Sequence, residues 1–169
     1  MDIHMEKEIN ASADKVWNIL AHQFAEIGEW ADGVKWSRAL EASEVPEDFV
    51  VAPQAPVPGR VTPNPFGDLK EILTRFSDVE REFTFEVSGL PKAVAHTQNT
   101  TRVIETGADT CLVTFDVQMV LRGPLKLLSP ILRRRLKTSG FGPAGALEAL
   151  KPYAETGQIS EKKQSRQSN

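Results

Sequence analysis

The residue whose type and setting best suit acid–base chemistry is Glu71, which lies between Leu69 and Leu73 in a strand-like run. A carboxylate beside apolar walls can exchange a proton during a reaction, so Glu71 is a candidate general acid or base. The competing interpretation is a structural ion pair with Arg60 or Arg75. We favour the ion pair, because such pairs commonly hold carboxylates outside active sites.

Other residues capable of chemistry are isolated. His96 could move protons at neutral pH, but a single histidine near a turn is more typical of a surface position. His4 and His22 lack metal-binding spacing, and Cys111 is the only cysteine, so we expect neither a metal site nor a disulfide. Cys111 is expected to pack as a small apolar residue. No phosphate-binding loop, dinucleotide fingerprint or nucleophile elbow is present, and no cofactor is expected.

Composition narrows the class of protein. The 169 residues are 40% hydrophobic and carry a formal net charge of -3, which fits one domain with a sizeable core and no global basic field for nucleic acid. No apolar run reaches membrane-spanning length, so we expect no stable membrane insertion. The start of the chain lacks a signal-peptide pattern, and with the single cysteine this predicts a cytoplasmic protein.

One local basic patch stands out from this mild charge. It consists of Arg133, Arg134 and Arg135 with Lys137. The patch could meet anionic lipid head groups or a ligand carboxylate. It is equally the pattern of a solvated helix face, which is the interpretation that we favour.

The elements that must position these residues are mostly strands. Alternation and β-branched or aromatic content predict strands over 3–9, 34–45, 59–62, 69–76, 82–87, 94–104 and 111–121. The last is clearest, because every second residue from Cys111 to Leu121 is apolar, which is typical of an antiparallel sheet with one covered face. The prolines within 46–65 predict an irregular loop around the short strand near Gly59.

Helices are predicted at both ends of this run of strands. Ser12 is a suitable N-cap for a first helix, and a second short helix is expected over 24–30. Leucines at helical spacing predict a long amphipathic helix over 123–154 that packs on the sheet. Pro130 should bend or restart it, and the glycines and proline of 139–145 should kink it or divide it in two. The polar residues 155–169 are expected to form a disordered tail after a single domain over 1–154.

Several stretches resemble the START-like superfamily, and within it the polyketide cyclase/dehydrase group. The stretches are INASADKVWNIL, FAEIGEWADGVKWSRAL, LKEILTRFSDVEREFTFEV, TTRVIETGADTCLVTFDVQM and LEALKPYAE, and the match covers about residues 2–154. The resemblance implies an α+β helix-grip fold, in which a curved antiparallel sheet and a long C-terminal helix enclose a pocket. It also places Glu71 where that group often has a glutamate.

Such a pocket would be lined by the inward faces of the strands. On the strand 94–104 we prefer the parity that turns Thr97, Asn99, Thr101 and Val103 inward, because the other parity would bury Arg102. Trp30 and Trp36 could line the pocket or belong to the core, and we favour the core. The expected ligand-binding residues are Trp30, Trp36, Leu73, Phe83, Phe85, Thr97, Asn99, Thr101, Phe115, Val117, Met119, Leu132 and Leu136.

Three functions remain open at this point. The first is binding of a small hydrophobic or amphipathic molecule, lipid-like or polyketide-like. The second is a cyclase or dehydratase that uses Glu71 as acid or base. The third, an interaction module built on the proline-rich loop or the basic helix, is the least supported, because the loop lacks a regular recognition pattern.

Overall fold

The computed structural model describes residues 1–64, 67–138, 142–161 and 163–164. Its strands are β1 (Asp2–Ile9), β2 (Arg38–Ala39), β3 (Gly59–Thr62), β4 (Leu69–Ser77), β5 (Glu82–Ser88), β6 (Val94–Gly107) and β7 (Thr110–Leu121). Its α-helices are α1 (Ala13–Trp17), α2 (Ile27–Trp30), α3 (Ser129–Thr138) and α4 (Gly142–Thr156). A π-helical turn (Asn18–His22) and 3-10 turns (Phe24–Glu26, Ala42–Glu44 and Gly123–Leu128) complete the helical structure.

The strands form one seven-stranded sheet in the order β1-β7-β6-β5-β4-β3-β2, and every neighbouring pair is antiparallel. Consecutive strands from β2 to β7 are neighbours, as expected for hairpin connections. The first strand instead crosses to the far edge and pairs with β7. The curved antiparallel sheet, the short helices after β1 and the C-terminal helix confirm the predicted α+β architecture.

The strand parity predicted for β6 is confirmed. Thr97, Asn99, Thr101 and Val103 are all buried, whereas Arg102 lies on the opposite face. Arg102 forms an ion pair there with Glu82 of β5. Burial of a guanidinium without a partner is costly, and the observed register avoids it.

The strand predicted over 34–45 is wrong in length. Only Arg38 and Ala39 form a strand, because the chain turns into the 3-10 turn Ala42–Glu44 almost at once. That turn has a capping box between Glu41 and Glu44, and Arg38 donates two hydrogen bonds of 2.7 Å to the Glu44 carboxylate. The capping box satisfies backbone N–H groups of the turn, so pairing with another strand is not needed there.

The C-terminal helical segment is divided, as the glycines and proline of 139–145 predicted. Helix α3 ends at Thr138 and α4 begins at Gly142, which has a positive φ of 70°. Pro130 lies in the first turn of α3, where proline is tolerated, so the helix restarts there after the 3-10 turn. Residues 139–141 lie outside the described part of the chain.

Two residues that follow α4, Ser160 and Lys163, contact the segment after α2. The Ser160 hydroxyl donates a hydrogen bond to Asp32, and the Lys163 ammonium group donates one to the backbone carbonyl of Val34. Both contacts fall within the segment 155–169, which was expected to be a disordered tail. The domain boundary at residue 154 and the disorder of 155–169 both remain predictions.

The main core lies between one face of the sheet and the helices. It joins residues of α1, α2 and α4 to the inward faces of β4 to β7. Trp30 belongs to this core and stacks on Tyr153 of α4 at 6.0 Å between ring centroids. Trp36 does not, since 42% of it is exposed, so its assignment to the core or the pocket is wrong.

A smaller core covers the outer face of the sheet. Leu40, Val61 and Ile72 are buried there, and the proline-rich segment supplies Val45, Phe49 and Val51 against them. All four residues of β3 are buried: Val61 belongs to this outer core, whereas Arg60 and Thr62 line a cavity on the inner face. The expectation of one wet sheet face therefore does not hold at the β2–β4 end, where the irregular loop covers it.

Candidate functional site

A cavity lies between the inward face of the sheet and the helices, with a volume of about 120 Å³. Its aromatic walls are Phe24, Trp30, Phe83, Phe85 and Phe115. Its aliphatic walls are Ile19, Leu20, Ile27, Val34, Pro143 and Ala146, with Gly142 at the start of α4. Its polar groups are Gln23, Arg60, Thr62, Glu71, Asn99 and Thr101. The mixture of apolar walls and few polar groups is typical of small-molecule sites.

Strand alternation places the sheet side of the cavity. Phe83 and Phe85 of β5 point inward, and the register pairs them with Thr101 and Asn99 of β6. Thr101 is in turn paired with Phe115 of β7. Because each pairing brings side chains of one face together, three strands present a continuous inward surface.

The helical side of the cavity is set by the segment after β1. Ser12 accepts a hydrogen bond from the backbone N–H of Lys15 and so fixes the start of α1, as predicted. The chain then passes through a π-helical turn, which is a feature often found at functional sites. This turn and the following short helices direct Leu20, Phe24 and Ile27 towards the sheet.

Arg60 and Glu71 form an ion pair in the cavity wall. They are directly opposite each other on β3 and β4, and the Arg60 Nε donates to Glu71 Oε2. Both side chains are largely buried. This is the structural partner that the sequence offered for Glu71. Arg75, the other possible partner, lies instead 3.7 Å from Glu82.

The Arg60 guanidinium is held from further sides. Its Nη1 donates a 3.0 Å hydrogen bond to the backbone carbonyl of Phe24. Its central carbon lies 4.0 Å from the centre of the Phe24 ring and 5.4 Å from that of Phe85, within the range of cation–π attraction. These contacts of Arg60 with Phe24 tie the helical side of the cavity to the sheet.

Gly59 permits the close approach of β3 to β4 beside this pair. A Cβ at that position would lie 2.1 Å from the backbone carbonyl oxygen of Glu71. No side chain can be accommodated at such a distance, so glycine is required there. The position of Arg60 relative to Glu71 therefore depends on a glycine at position 59.

Two residues of the cavity lining each carry a buried polar atom that lacks a hydrogen-bond partner among the described residues. These atoms are Nε1 of Trp30 and Oδ1 of Asn99, whose residues are 3% and 5% exposed. Thr97 Oγ1 is unpartnered in the same way, but Thr97 does not line the cavity. Unpaired buried polar atoms cost about 1–3 kcal/mol each, and they are the groups that a bound ligand can satisfy.

The structure brings together part of the predicted site. Glu71 and six of the expected ligand-binding residues line the cavity, namely Trp30, Phe83, Phe85, Asn99, Thr101 and Phe115. Leu73, Thr97 and Val117 are buried outside its lining, and half-buried Met119 also lies outside it. Trp36 lines a shallow surface groove instead, with Lys35 and Arg38. The side chains of Leu132 and Leu136 lie outside the described part of the structure.

The sequence did not single out the helical lining. The segment 24–30 is predicted only as a short helix, and neither Leu20 nor Ala146 is among the residues expected to line the pocket. The available signal is the helical spacing of Leu20, Phe24 and Ile27, which indicates one buried face but not the surface that it meets. Arg60 had been named only as a possible partner of Glu71.

The remaining candidates behave as isolated residues. His96 is half-buried and lies 3.6 Å from Glu86. Cys111 is fully buried, and burial raises the pKa of its thiol. Among the described residues, no group of three or more histidine, cysteine or acidic side chains could hold a metal ion. The same residues include no helix of the length and apolarity needed to cross a bilayer.

The sequence matches the family model described as polyketide cyclase / dehydrase and lipid transport over residues 1–155. The chain belongs to this family. The family assignment agrees with the resemblance noted from the sequence. A comparison with curated proteins gives no match.

Solved structures of the same fold include those of the following three proteins. A START superfamily protein from Mycobacterium smegmatis has a TM-score of 0.55 and 13% identity, over 80% of this chain and 97% of that one. Norcoclaurine synthase from Thalictrum flavum, in complex with dopamine and hydroxybenzaldehyde, has a TM-score of 0.57 and 20% identity, over 89% and 84%.

The third is the di-domain ARO/CYC protein BexL from the BE-7585A biosynthetic pathway. It has a TM-score of 0.67 and 14% identity, over 89% of this chain and 45% of BexL. At these identities the similarity establishes the helix-grip fold that this chain shares with the START-like proteins. The ligands and reactions named for them belong to those proteins.

Proposed function

We propose that this protein binds a small, mostly apolar molecule that carries a polar group, in the cavity between the sheet and the helices. The observation that carries the proposal is the pair of unpartnered buried atoms, Trp30 Nε1 and Asn99 Oδ1, beside aromatic walls. A purely structural core would be expected to pair these atoms or to replace them with carbon.

The cavity volume limits the size of the ligand. At about 120 Å³ it is close to the roughly 150 Å³ apolar cavity that binds benzene in an engineered protein. A single ring therefore fits without rearrangement, whereas a long acyl chain does not. The aromatic side chains favour a flat ring, because offset or edge-on contacts between rings contribute about 0.5–1.5 kcal/mol beyond the effect of the buried area.

The polar atoms specify the substituent of that ring. Trp30 Nε1 is a donor and requires an acceptor, whereas Asn99 Oδ1 requires a donor. A hydroxyl group is both a donor and an acceptor. A phenol-like molecule should accordingly bind more tightly than the hydrocarbon of the same shape.

Isothermal titration with para-cresol and with toluene tests this proposal. We expect para-cresol to bind more tightly by a factor of about ten, as one good hydrogen bond predicts. Asn99→Leu should remove that preference. Thr97→Val, which removes an unpartnered hydroxyl two residues along β6 and outside the cavity, is the matched control and should retain it. Absence of binding by either compound, or an unchanged preference in Asn99→Leu, would overturn the proposal.

A second candidate function is a cyclase or dehydratase that uses Glu71 as acid or base. It is supported by the position of the Glu71 carboxylate in the cavity wall and by the family to which the chain belongs. The test is turnover by Glu71→Gln of a polyketide-like substrate no larger than a single ring, since the amide can still accept a hydrogen bond from Arg60. Loss of turnover with retained affinity is expected. Glu86→Gln, on β5 outside the cavity lining, is the control, and equal turnover in the two variants would exclude Glu71 from the reaction.

A further inference from the structure

The segment 122–137, here named the basic segment, is positively charged, whereas the rest of the chain is negatively charged. Its six cationic residues are Arg122, Lys126, Arg133, Arg134, Arg135 and Lys137, and it contains no acidic residue. The remainder of the chain has fourteen cationic residues against twenty-three acidic ones. A cationic segment on an acidic protein is the charge asymmetry expected of a surface that meets an anionic partner.

The basic segment also exposes large apolar side chains. Leu127, in the 3-10 turn, is 83% exposed, and Ile131, in the first turn of α3, is 59% exposed. They are four residues apart along continuous helical structure, a spacing that brings side chains close together. Lys126 and Arg133 are exposed beside them in the sequence. A solvated helix face alone would carry the cations without these two residues.

We propose that the basic segment is a docking surface for an anionic lipid bilayer. Exposed leucine and isoleucine side chains can enter the boundary between head groups and acyl chains, while lysine and arginine meet the phosphates. A protein partner of acidic character would explain the cations but would not require isolated apolar side chains flanked by them. The proposal does not depend on the identity of the cavity ligand.

The basic segment is close in sequence to the helical wall of the cavity. After α3, the first residues of α4, Gly142 and Pro143, line the cavity together with Ala146. Docking through α3 would therefore hold this wall of the cavity near the bilayer. An amphipathic molecule that partitions into lipid would then be concentrated close to the site.

Co-sedimentation with vesicles tests the proposal. We expect the protein to bind vesicles of phosphatidylcholine with about one third phosphatidylglycerol, to bind phosphatidylcholine alone much more weakly, and to be released by roughly 0.5 M salt. Leu127→Asp and Arg133→Glu should each reduce binding about tenfold or more. Val79→Asp, at an exposed apolar residue of the β4–β5 turn, and Lys35→Glu, at an exposed lysine outside the segment, are the matched controls and should bind as the unaltered protein does.

Several results would overturn this assignment. One is absence of binding to the anionic vesicles, and another is equal binding by Leu127→Asp. Self-association in gel filtration that Leu127→Asp abolishes would assign the surface to a second copy of the chain. Because Leu127 is exposed and outside the cavity lining, the affinity for para-cresol should be the same in Leu127→Asp, so failure here leaves the cavity proposal standing.

Discussion

Arg60 and Glu71 occupy the same rung of the sheet, and their paired side chains form the charged part of the cavity wall. The pair is largely buried, and Arg60 is also bonded to the Phe24 carbonyl. Desolvation of two charges is repaid only when both are present and well bonded. The pair therefore joins the stability of the sheet to the shape of the site.

Removal of one member of this pair should be costly. We expect Glu71→Leu to lower the free energy of unfolding by about 3 kcal/mol, because it leaves the Arg60 guanidinium buried without its carboxylate. Arg60→Met together with Glu71→Leu should cost much less than the sum of the single changes. Urea denaturation of the four proteins in this cycle measures the coupling. Additive effects would show that the two charges do not stabilise each other.

The unpartnered atoms predict an unusual gain in stability. In the ligand-free protein, Asn99→Leu and Thr97→Val should each raise the free energy of unfolding by about 1 kcal/mol, because each replaces a buried polar atom without a partner by a carbon of similar shape. Thermal and chemical denaturation measure the effect. A loss of stability in Asn99→Leu would mean that the amide is paired, for example by a buried water molecule.

Gly59 predicts a steric effect that is confined to one strand pair. Gly59→Ala should destabilise the protein by about 3 kcal/mol, because its Cβ would collide with the backbone of β4. At Gly107, the nearest atom to a new Cβ is the Thr110 hydroxyl oxygen, which can rotate away. Gly107→Ala is therefore the control, with an expected change below about 1 kcal/mol. Similar losses in both variants would contradict the close approach at Gly59.

Glu44 gives a prediction about pH. Its hydrogen bonds from Arg38, and a further one from the backbone N–H of Glu41, lower its pKa from 4.5 to about 2. Because the pKa is depressed in the folded protein, the stabilisation is complete above the ordinary value and disappears as the pH falls towards 2. Carboxyl NMR titration should show the low midpoint, and Arg38→Gln should return it towards the ordinary value. Lys35→Gln, which removes an exposed cation that is not among the groups acting on Glu44, should leave the midpoint low.

The sequence allowed the sheet to be predicted well but not the cavity. Alternation identified β4 to β7 within a few residues and gave the inward parity of β6, because burial of one face repeats every second residue. It failed for 34–45, where local hydrogen bonds of the Glu41–Glu44 turn end the strand. The spacing of apolar residues along a segment shows which of its faces is buried. It does not show which other segment packs on that face.

Phe24, which lines the cavity, and Trp36, which does not, illustrate this limit. Both aromatics lie in the same short region and have similar apolar character, yet Phe24 faces the sheet and Trp36 faces solvent. Phe24 packs against Phe83, Phe85 and the Arg60 guanidinium, and these tertiary contacts leave no trace in any local sequence pattern. Glu71 can be singled out from the sequence because a carboxylate between two leucines is conspicuous in any strand.

The pairing of β1 with β7 has a consequence for biosynthesis. The hairpins from β2 to β7 can form in the order in which the ribosome releases them, but β1 must wait for a neighbour more than 100 residues later. Until then its apolar residues Ile3 and Ile9 have no strand beside them. A nascent chain that stops short of β7 therefore leaves the amino-terminal strand open to chaperones and to aggregation.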